Sequence, residues 1–343
     1  MVREPRGGAE LPRVSCRTVI LPAVNMAAEL QRLIASDVWT PEEQVQELKR
    51  RFELGTAPQS QKISFQPQPD DVTVAVPAKC GTTWLLHICH QLRVQGAEPD
   101  FDDQNDVVTW IENIKYFYDL DPDEHAKKQP TGIRIFKSHL PYPAVPKGGK
   151  MIYCFRDLSD ALYSAYKFVN STALLKGRVS LSVFTNSAVA FNYFAKEPMK
   201  DLLTWWEHRH DADVLLFFFD DLKEDHAGCV RRIAKFIGVD CSDEVIARVI
   251  HTTTHAEMAK HFSRFDVHTI VEFVTKKTGE KRETGDDAVG CVRRDGGKSG
   301  EGKMSLPANV LEQIEQNWQD IVTAKLGFRN LKEMRDAWRN ELN

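Results

Sequence analysis

No CxxC pair occurs among the seven cysteines, Cys16, Cys80, Cys89, Cys154, Cys229, Cys241 and Cys291. Their odd number and wide spacing exclude a zinc knuckle and a disulfide framework. They read as free thiols of a reducing compartment. No apolar run reaches the roughly 18 residues of a membrane helix. An excess of positive charge is missing too: 45 Lys and Arg against 49 Asp and Glu leave a formal net charge of −4. A general nucleic-acid binder is usually basic, so nucleic acid is not an expected partner. The first 30 residues carry Arg3, Arg6, Arg13 and Arg17, but also Glu4, Glu10 and prolines, without the apolar centre of a leader. That argues against a cleaved targeting peptide. A soluble, cytoplasmic protein with no membrane partner is the expectation.

What the 343 residues do hold is an alternation of short apolar runs with helical patterns. Four runs, at 72–76 (VTVAV), 133–136 (IRIF), 151–155 (MIYCF) and 214–219 (VLLFFF), are nearly continuous in apolar residues, which suits strands covered on both faces. Helical patterns occupy 41–52, 83–94, 159–169, 199–208, 227–237, 243–249 and 307–326. Thr40 offers an N-cap to the first, with acids in its opening turn. Strands alternating with helices predict a single α/β domain with a central, mainly parallel sheet flanked by helices. Residues 1–65 read as an N-terminal extension belonging to the same unit, and 66–343 as the domain proper. The stretch 285–303 (GDDAVGCVRRDGGKSGEGK) is glycine-rich and basic.

The first strand leads through Pro77 into Lys79-Cys80-Gly81-Thr82-Thr83-Trp84 and then a helix. A lysine before the glycine is not the GxxxxGK[ST] order of a Walker A loop. The start of that helix still offers free N–H groups and a positive dipole end to an anion. In open α/β sheets ligands bind beyond the carboxyl ends of the strands, so the residues just past each strand carry the most information. Lys137, Ser138 and His139 come after the second; Arg156 comes after the third, with Ser164 eight residues on; Asp220 and Asp221 come after the fourth. Taken singly, each lysine or arginine reads as a solvated charge and His139 as a structural histidine. Together at one sheet edge they form a polyanion cradle containing a titratable base. His87 and His90 sit three apart on a helix, but no third ligand is evident, and they read as structural. Cys80, beside Lys79 and a helix start, reads as an inert small residue in preference to an acidified thiol.

AKCGTTW resembles the KSGTTW loop of the cytosolic-type sulfotransferases, which use 3′-phosphoadenosine-5′-phosphosulfate (PAPS) and release the bisphosphate PAP. Lys137-Ser138-His139-Leu140-Pro141 is similar to that family's KTHLP. Tyr153-Cys154-Phe155-Arg156-Asp157 with Ser164 resembles its YVxRN element, and Trp205-Trp206-Glu207 and Asp220 to Asp225 resemble its WWE and YEDMKEDP stretches. The matches are colinear from about residue 70 to 328. The resemblance implies a P-loop-like phosphosulfate-binding loop, Lys79, Lys137 and His139 as catalytic residues, and no divalent metal. It further implies that Lys79, Cys80, Gly81, Thr82, Thr83 and Trp84 hold the donor's 5′ end and that Arg156 and Ser164 hold its 3′-phosphate. Arg293-Arg294-Asp295-Gly296 falls where the family's RKG loop closes over that phosphate, with Arg293 preferred over Arg294. Trp84 would stack on adenine, and Phe219 replaces a tyrosine. Thr253, Thr254 and His255 align with a Ser-Ser-Phe element, His255 in place of the phenylalanine. Trp110 and Phe168, with His139, would line the pocket of a small-molecule acceptor, near Tyr116 and Phe117. Aromatic lining suits a flat or apolar acceptor; Glu112, Asp119, Asp121, Asp123 and Glu124 leave a cationic one open.

Two other readings stand beside this one. A nucleotide or small-molecule kinase wants a GK[ST] lysine and an acidic Mg²⁺ partner, for which Asp220-Asp221 is the candidate. A non-catalytic nucleotide-binding protein has no use for Lys137 with His139. Many relatives pair through a KxxxTVxxxE segment; here Lys303 to Glu312 keeps the ends but places Pro307 and Ala308 at the centre. A proline at a helix start suits neither an extended strand nor its hydrogen bonds. The expectation is a monomer, or a dimer through an atypical interface.

Overall fold

Five short strands, each parallel to its neighbour, set the frame: β1 (Val72–Ala75), β2 (Thr109–Trp110), β3 (Ile135–Ser138), β4 (Lys150–Phe155) and β5 (Val214–Phe218). They lie in the order β2-β3-β1-β4-β5. This computed structural model describes residues 38–56, 63, 65–99, 101–113, 124, 127–129, 132–171, 177–266, 268–269, 272, 290–293 and 296–342. Tyr116, Phe117, Asp119, Asp121, Asp123, Arg294 and Asp295 lie outside the described residues. Thr40 to Asn343 form one compact unit. Among the described residues no helix is long and apolar enough to cross a membrane.

All four residues of β1 are buried, as are the last five of β4. Successive side chains point to opposite faces, so the sheet is covered on both, as the unbroken apolar runs predict. Helices α1 (Pro41–Thr56), α2 (Thr82–Arg93), α3 (Leu158–Ser171) and α4 (Glu197–Glu207) fall close to the sequence patterns. So do α6 (His226–Ile237) and α7 (Asp243–Thr252), whereas α5 (Phe219–Glu224) begins where the sequence pattern has the last strand still running. Thr40 caps α1 with a reciprocal pair: its Oγ1 accepts from the Glu43 N–H, and Glu43 Oε2 accepts from the Thr40 N–H at 2.9 Å. Trp205 on α4 stacks on Tyr153 of β4, ring centroids 4.8 Å apart.

Some boundaries differ from the sequence pattern. β3 begins two residues later than the run 133–136, so Lys137 and Ser138 are strand residues and not loop residues. The predicted helix 307–326 is α10 (Ala308–Trp318), continuing through a wider turn at Gln319–Thr323 to Ala324–Leu326, with Pro307 standing just before it as the N-cap. Helices also occupy regions that read as loop or carry no clear pattern, among them α9 (Glu301–Ser305) inside the glycine-rich stretch and α11 (Leu331–Leu342) at the end. Lys303 of α9 pairs with Asp157 at 3.0 Å.

His87 and His90 on α2 are core residues, packed against Phe101, with His87 also against Phe265. His90 Nδ1 accepts from the Arg93 guanidinium at 2.9 Å, which needs a neutral ring. Burial lowers His87 to about 4 and His90 to about 3. Such a group takes a proton in the unfolded chain near pH 6.5 but not in the folded one until its lowered value. Stability is therefore complete above about pH 6.5 and falls as pH drops toward 4, with His87 alone costing about 3 kcal/mol by then. Urea midpoints are expected to fall across this window, and less steeply in a His87→Gln variant; equal slopes would contradict this.

Candidate functional site

The strand order reverses its sequence sense at β1, with β3 on one side and β4 on the other. That switch point is where the loops after adjacent strands part and leave a crevice. Three strand ends meet there, carrying Lys79, Lys137 with His139, and Arg156.

The loop after β1 turns tightly. Cys80 N–H donates to the Pro77 carbonyl, Lys79 takes the left-handed conformation at φ 68°, and Gly81 follows at φ 108°. Gly81 needs to be glycine twice over: the φ disfavours a side chain, and a Cβ would stand 3.0 Å from the Phe219 ring. It starts α2 with no side-chain cap, so the first-turn N–H groups stay available to an anion. Thr82 Oγ1 is buried there without a hydrogen-bond partner. Thr83 borders a small cavity with Lys137, Asp103, Phe265 and Cys291. Cys80 is fully buried, and desolvation pushes its thiol up to about 12, so it is the inert residue expected.

Each lysine rests on an aromatic ring. Lys79 Nζ lies 4.1 Å from the centre of Phe168, and Lys137 Nζ 3.8 Å from that of Trp110. Both ammonium groups are pushed below the usual lysine range, first by burial; Lys79 is lowered further by Arg156, Lys137 and Arg293. Trp110 and Phe168 are thereby brought to the lysines. His139 sits just past β3, its ring edge-on to Trp110 at 5.3 Å. Its Nδ1 is 2.6 Å from the Val76 carbonyl, which can only accept, so Nδ1 carries the proton and Nε2 a lone pair. Burial and then Lys137 lower its pKa to about 3.

Arg156 is gripped from several sides. Nη1 donates to the Lys79 carbonyl at 3.3 Å, Nη2 lies 3.7 Å from Asp160, and the guanidinium covers Phe219 at 4.5 Å. Its Nε is buried without a partner. Ser164 is buried on α3. Asp160, on the same helix, accepts from the N–H of Gly300 at 2.9 Å and of Gly302 at 2.8 Å. A Cβ at Gly302 would meet the Ser159 backbone at 2.2 Å, so only glycine lets α9 lie this close to α3. This latch brings the glycine-rich loop to the site. Arg293 there is held by Glu301 through two contacts, 2.6 and 3.2 Å, while Gly296 is exposed.

Trp84 Nε1 donates to the Thr253 carbonyl at 2.7 Å, and its ring neighbours include Phe219 and His226, at 5.8 and 5.2 Å. His226, not His255, therefore stands beside Trp84; His255 is exposed at the start of α8 (His255–Lys260). Thr253 is fully buried, its hydroxyl donating to the Val249 carbonyl and 3.0 Å from His226 Nε2. Thr254 Oγ1 caps α8. Asp221, one of the two candidate magnesium partners of a kinase with Asp220, instead accepts from Arg335 and Arg339 of α11 at 2.8 and 2.7 Å. His268 contacts Asp266 at 2.7 Å and Asp102 at 3.3 Å, with Asp103 at 3.9 Å. Burial lowers its pKa, but these carboxylates win and raise it to about 9, so at neutral pH the ring is itself the cation among them.

A loop with its lysine ahead of the glycine thus lies beside a lysine and a histidine from the neighbouring strand. A family model described as the sulfotransferase domain matches residues 69–286, and the chain belongs to that family. The amine sulfotransferase of Oryctolagus cuniculus is 27% identical over 202 residues, 57% of this chain and 64% of that protein. Sulfotransferase 4A1 of Mus musculus is 28% identical over 191 residues, 54% of this chain and 66% of that protein. The chain thus spans just under two thirds of these relatives. A crystal structure of retinol dehydratase with retinol and PAP superposes with a TM-score of 0.60 at 20% identity, covering 82% of this chain and 88% of that one. That likeness is one of fold.

Proposed function

We propose that the chain transfers a sulfuryl group from PAPS to a hydroxyl or amine of a small-molecule acceptor. The observation that carries this reading is the meeting, at adjacent strand ends, of two lysines with an imidazole whose Nδ1 proton is committed to Val76. His139 Nε2 takes the acceptor's proton as its oxygen or nitrogen attacks. Lys79 and the first-turn N–H groups of α2 face the charge that builds on the bridging oxygen as it leaves, and Lys137 faces the transferring group from the other side. Trp110 and Phe168, already packed on these lysines, line the acceptor's path. Retinol dehydratase was crystallised with PAP. The same nucleotide suits this cradle, because the buried, unpartnered Thr82 Oγ1 and Arg156 Nε are donors awaiting an anion. Arg156, Ser164 and Arg293 take the 3′-phosphate, and Trp84 offers its ring to the adenine. Asp221, one of the two acidic partners the kinase reading would use, is tied to two arginines, which weighs against that reading.

The test is incubation with ³⁵S-labelled PAPS and a panel of phenols, alcohols and amines, with and without Mg²⁺. Label is expected on an acceptor in both conditions. By calorimetry PAP is expected to bind more tightly than ATP by roughly tenfold or more, since two separated anionic ends meet two basic clusters. Equal affinities, or a strict Mg²⁺ requirement, would sink the reading.

A further inference from the structure

We infer that Glu112 is a positioning residue for the base, holding the His139 backbone so that the ring keeps its Nδ1–H on Val76 and Nε2 toward the acceptor. The inference rests on the reading of His139 as base. It starts from register. β2 pairs with β3 so that Trp110 stands opposite Lys137, and the ladder stops there. Two residues further along both chains, Glu112 and His139 face each other where the next backbone pairing would fall. β2 has already ended; Ile111 to Asn113 curl into a single 3₁₀ turn, so no strand carbonyl is presented to His139. The Glu112 carboxylate takes that role: its Oε1 accepts the His139 N–H at 2.5 Å.

The replacement matters because β3 leaves the sheet at this residue. His139 has two anchors, its own N–H on Glu112 and its Nδ1–H on the Val76 carbonyl at the end of β1. With both made, the imidazole is fixed in position and in tautomer. With only the second, the ring can pivot about Val76, and a base must lie within hydrogen-bond reach of the proton it takes. A surface carboxylate would fill this role poorly. Glu112 is 5% exposed. Burial drives its pKa upward, and the His139 N–H is foremost among the contacts that oppose this. A carboxyl group kept in such a place against its solvation preference has a task that an apolar residue cannot perform. Asp103 and Cys291 also face Lys137, but no hydrogen bond links either of them to His139 among the described residues.

The test separates the oxygen from the charge. Glu112→Gln keeps an acceptor oxygen for the His139 N–H; Glu112→Ala removes it. With PAPS and the best acceptor of the panel, kcat is expected to stay within about threefold in the Gln variant and to fall roughly tenfold or more in the Ala variant, at nearly unchanged PAP affinity. Imidazole ¹⁵N spectra of the labelled protein, assigned with His139→Gln, give a readout that needs no turnover. Wild type and Glu112→Gln are expected to show one protonated and one bare nitrogen, and Glu112→Ala an exchange-averaged ring. Full kcat and an unchanged spectrum in Glu112→Ala would overturn the inference. So would a folded Glu112→Gln as slow as Glu112→Ala. If the wild type transferred no label, the sulfotransferase reading would fall, while the spectra would still decide whether Glu112 fixes the ring.

Discussion

His139→Ala is expected to slow sulfuryl transfer by roughly 10²–10⁴-fold, the usual worth of a positioned general base, and to leave PAP affinity nearly intact. The division follows from the geometry. His139, just past β3, is anchored to Val76 at the end of β1 and to Glu112 past β2, while the orphan donors Thr82 Oγ1 and Arg156 Nε lie further along the β1 loop and past β4. A second readout is the pH profile. In the free protein, burial and the neighbouring Lys137 hold the His139 ring neutral down to about pH 3. With His139 as the proposed base, the neutral ring is the active form, and kcat/KM reports the free protein. Its acid limb is therefore expected well below the ordinary imidazole range near 6.5. The limb for kcat moves upward once the anionic donor offsets the two lysines. A folded His139→Ala protein with wild-type kcat would exclude it as the base.

The parts of this site that are legible in the sequence are those carried by local pattern. The run 72–76 is apolar throughout and ends at Pro77, so both the buried strand and the loop beyond it declare themselves. The apolar pattern sets β3 two residues early because Lys137 and Ser138 are polar and look like loop; the sheet accepts them because strand ends at a ligand crevice are where polar side chains are wanted. β2, two residues long, is too short to show any period. The Glu112–His139 bond depends on the register between two strands, and the Asp160 latch joins positions 140 and 142 residues apart. Neither leaves a local trace. His226 escapes sequence reasoning for the same reason: it opens α6, and only folding brings its ring to Trp84.

Arg156→Ala is expected to weaken PAP binding by roughly ten- to a hundredfold or more, each charge-assisted hydrogen bond to phosphate contributing about 1.5–3 kcal/mol. The loss has two sources that a further variant can separate. In the proposed reading Arg156 contacts the anion, and in the structure it also braces the loop through the Lys79 carbonyl while lying flat on Phe219. Lysine keeps the charge but has neither the planar face for the ring nor the fork for two phosphate oxygens. Arg156→Lys is therefore expected to bind PAP nearly as poorly as Arg156→Ala. The latch itself does not depend on this arginine, because Asp160 reaches Gly300 and Gly302 directly. Thermal midpoints are thus expected to change little while affinity falls. Chemistry on bound donor is affected less than binding, so KM for PAPS rises more steeply than kcat falls, the reverse of the His139 pattern. Calorimetry showing wild-type PAP affinity in a folded Arg156→Ala protein would remove Arg156 from the nucleotide site and leave the 3′-phosphate to Ser164 and Arg293.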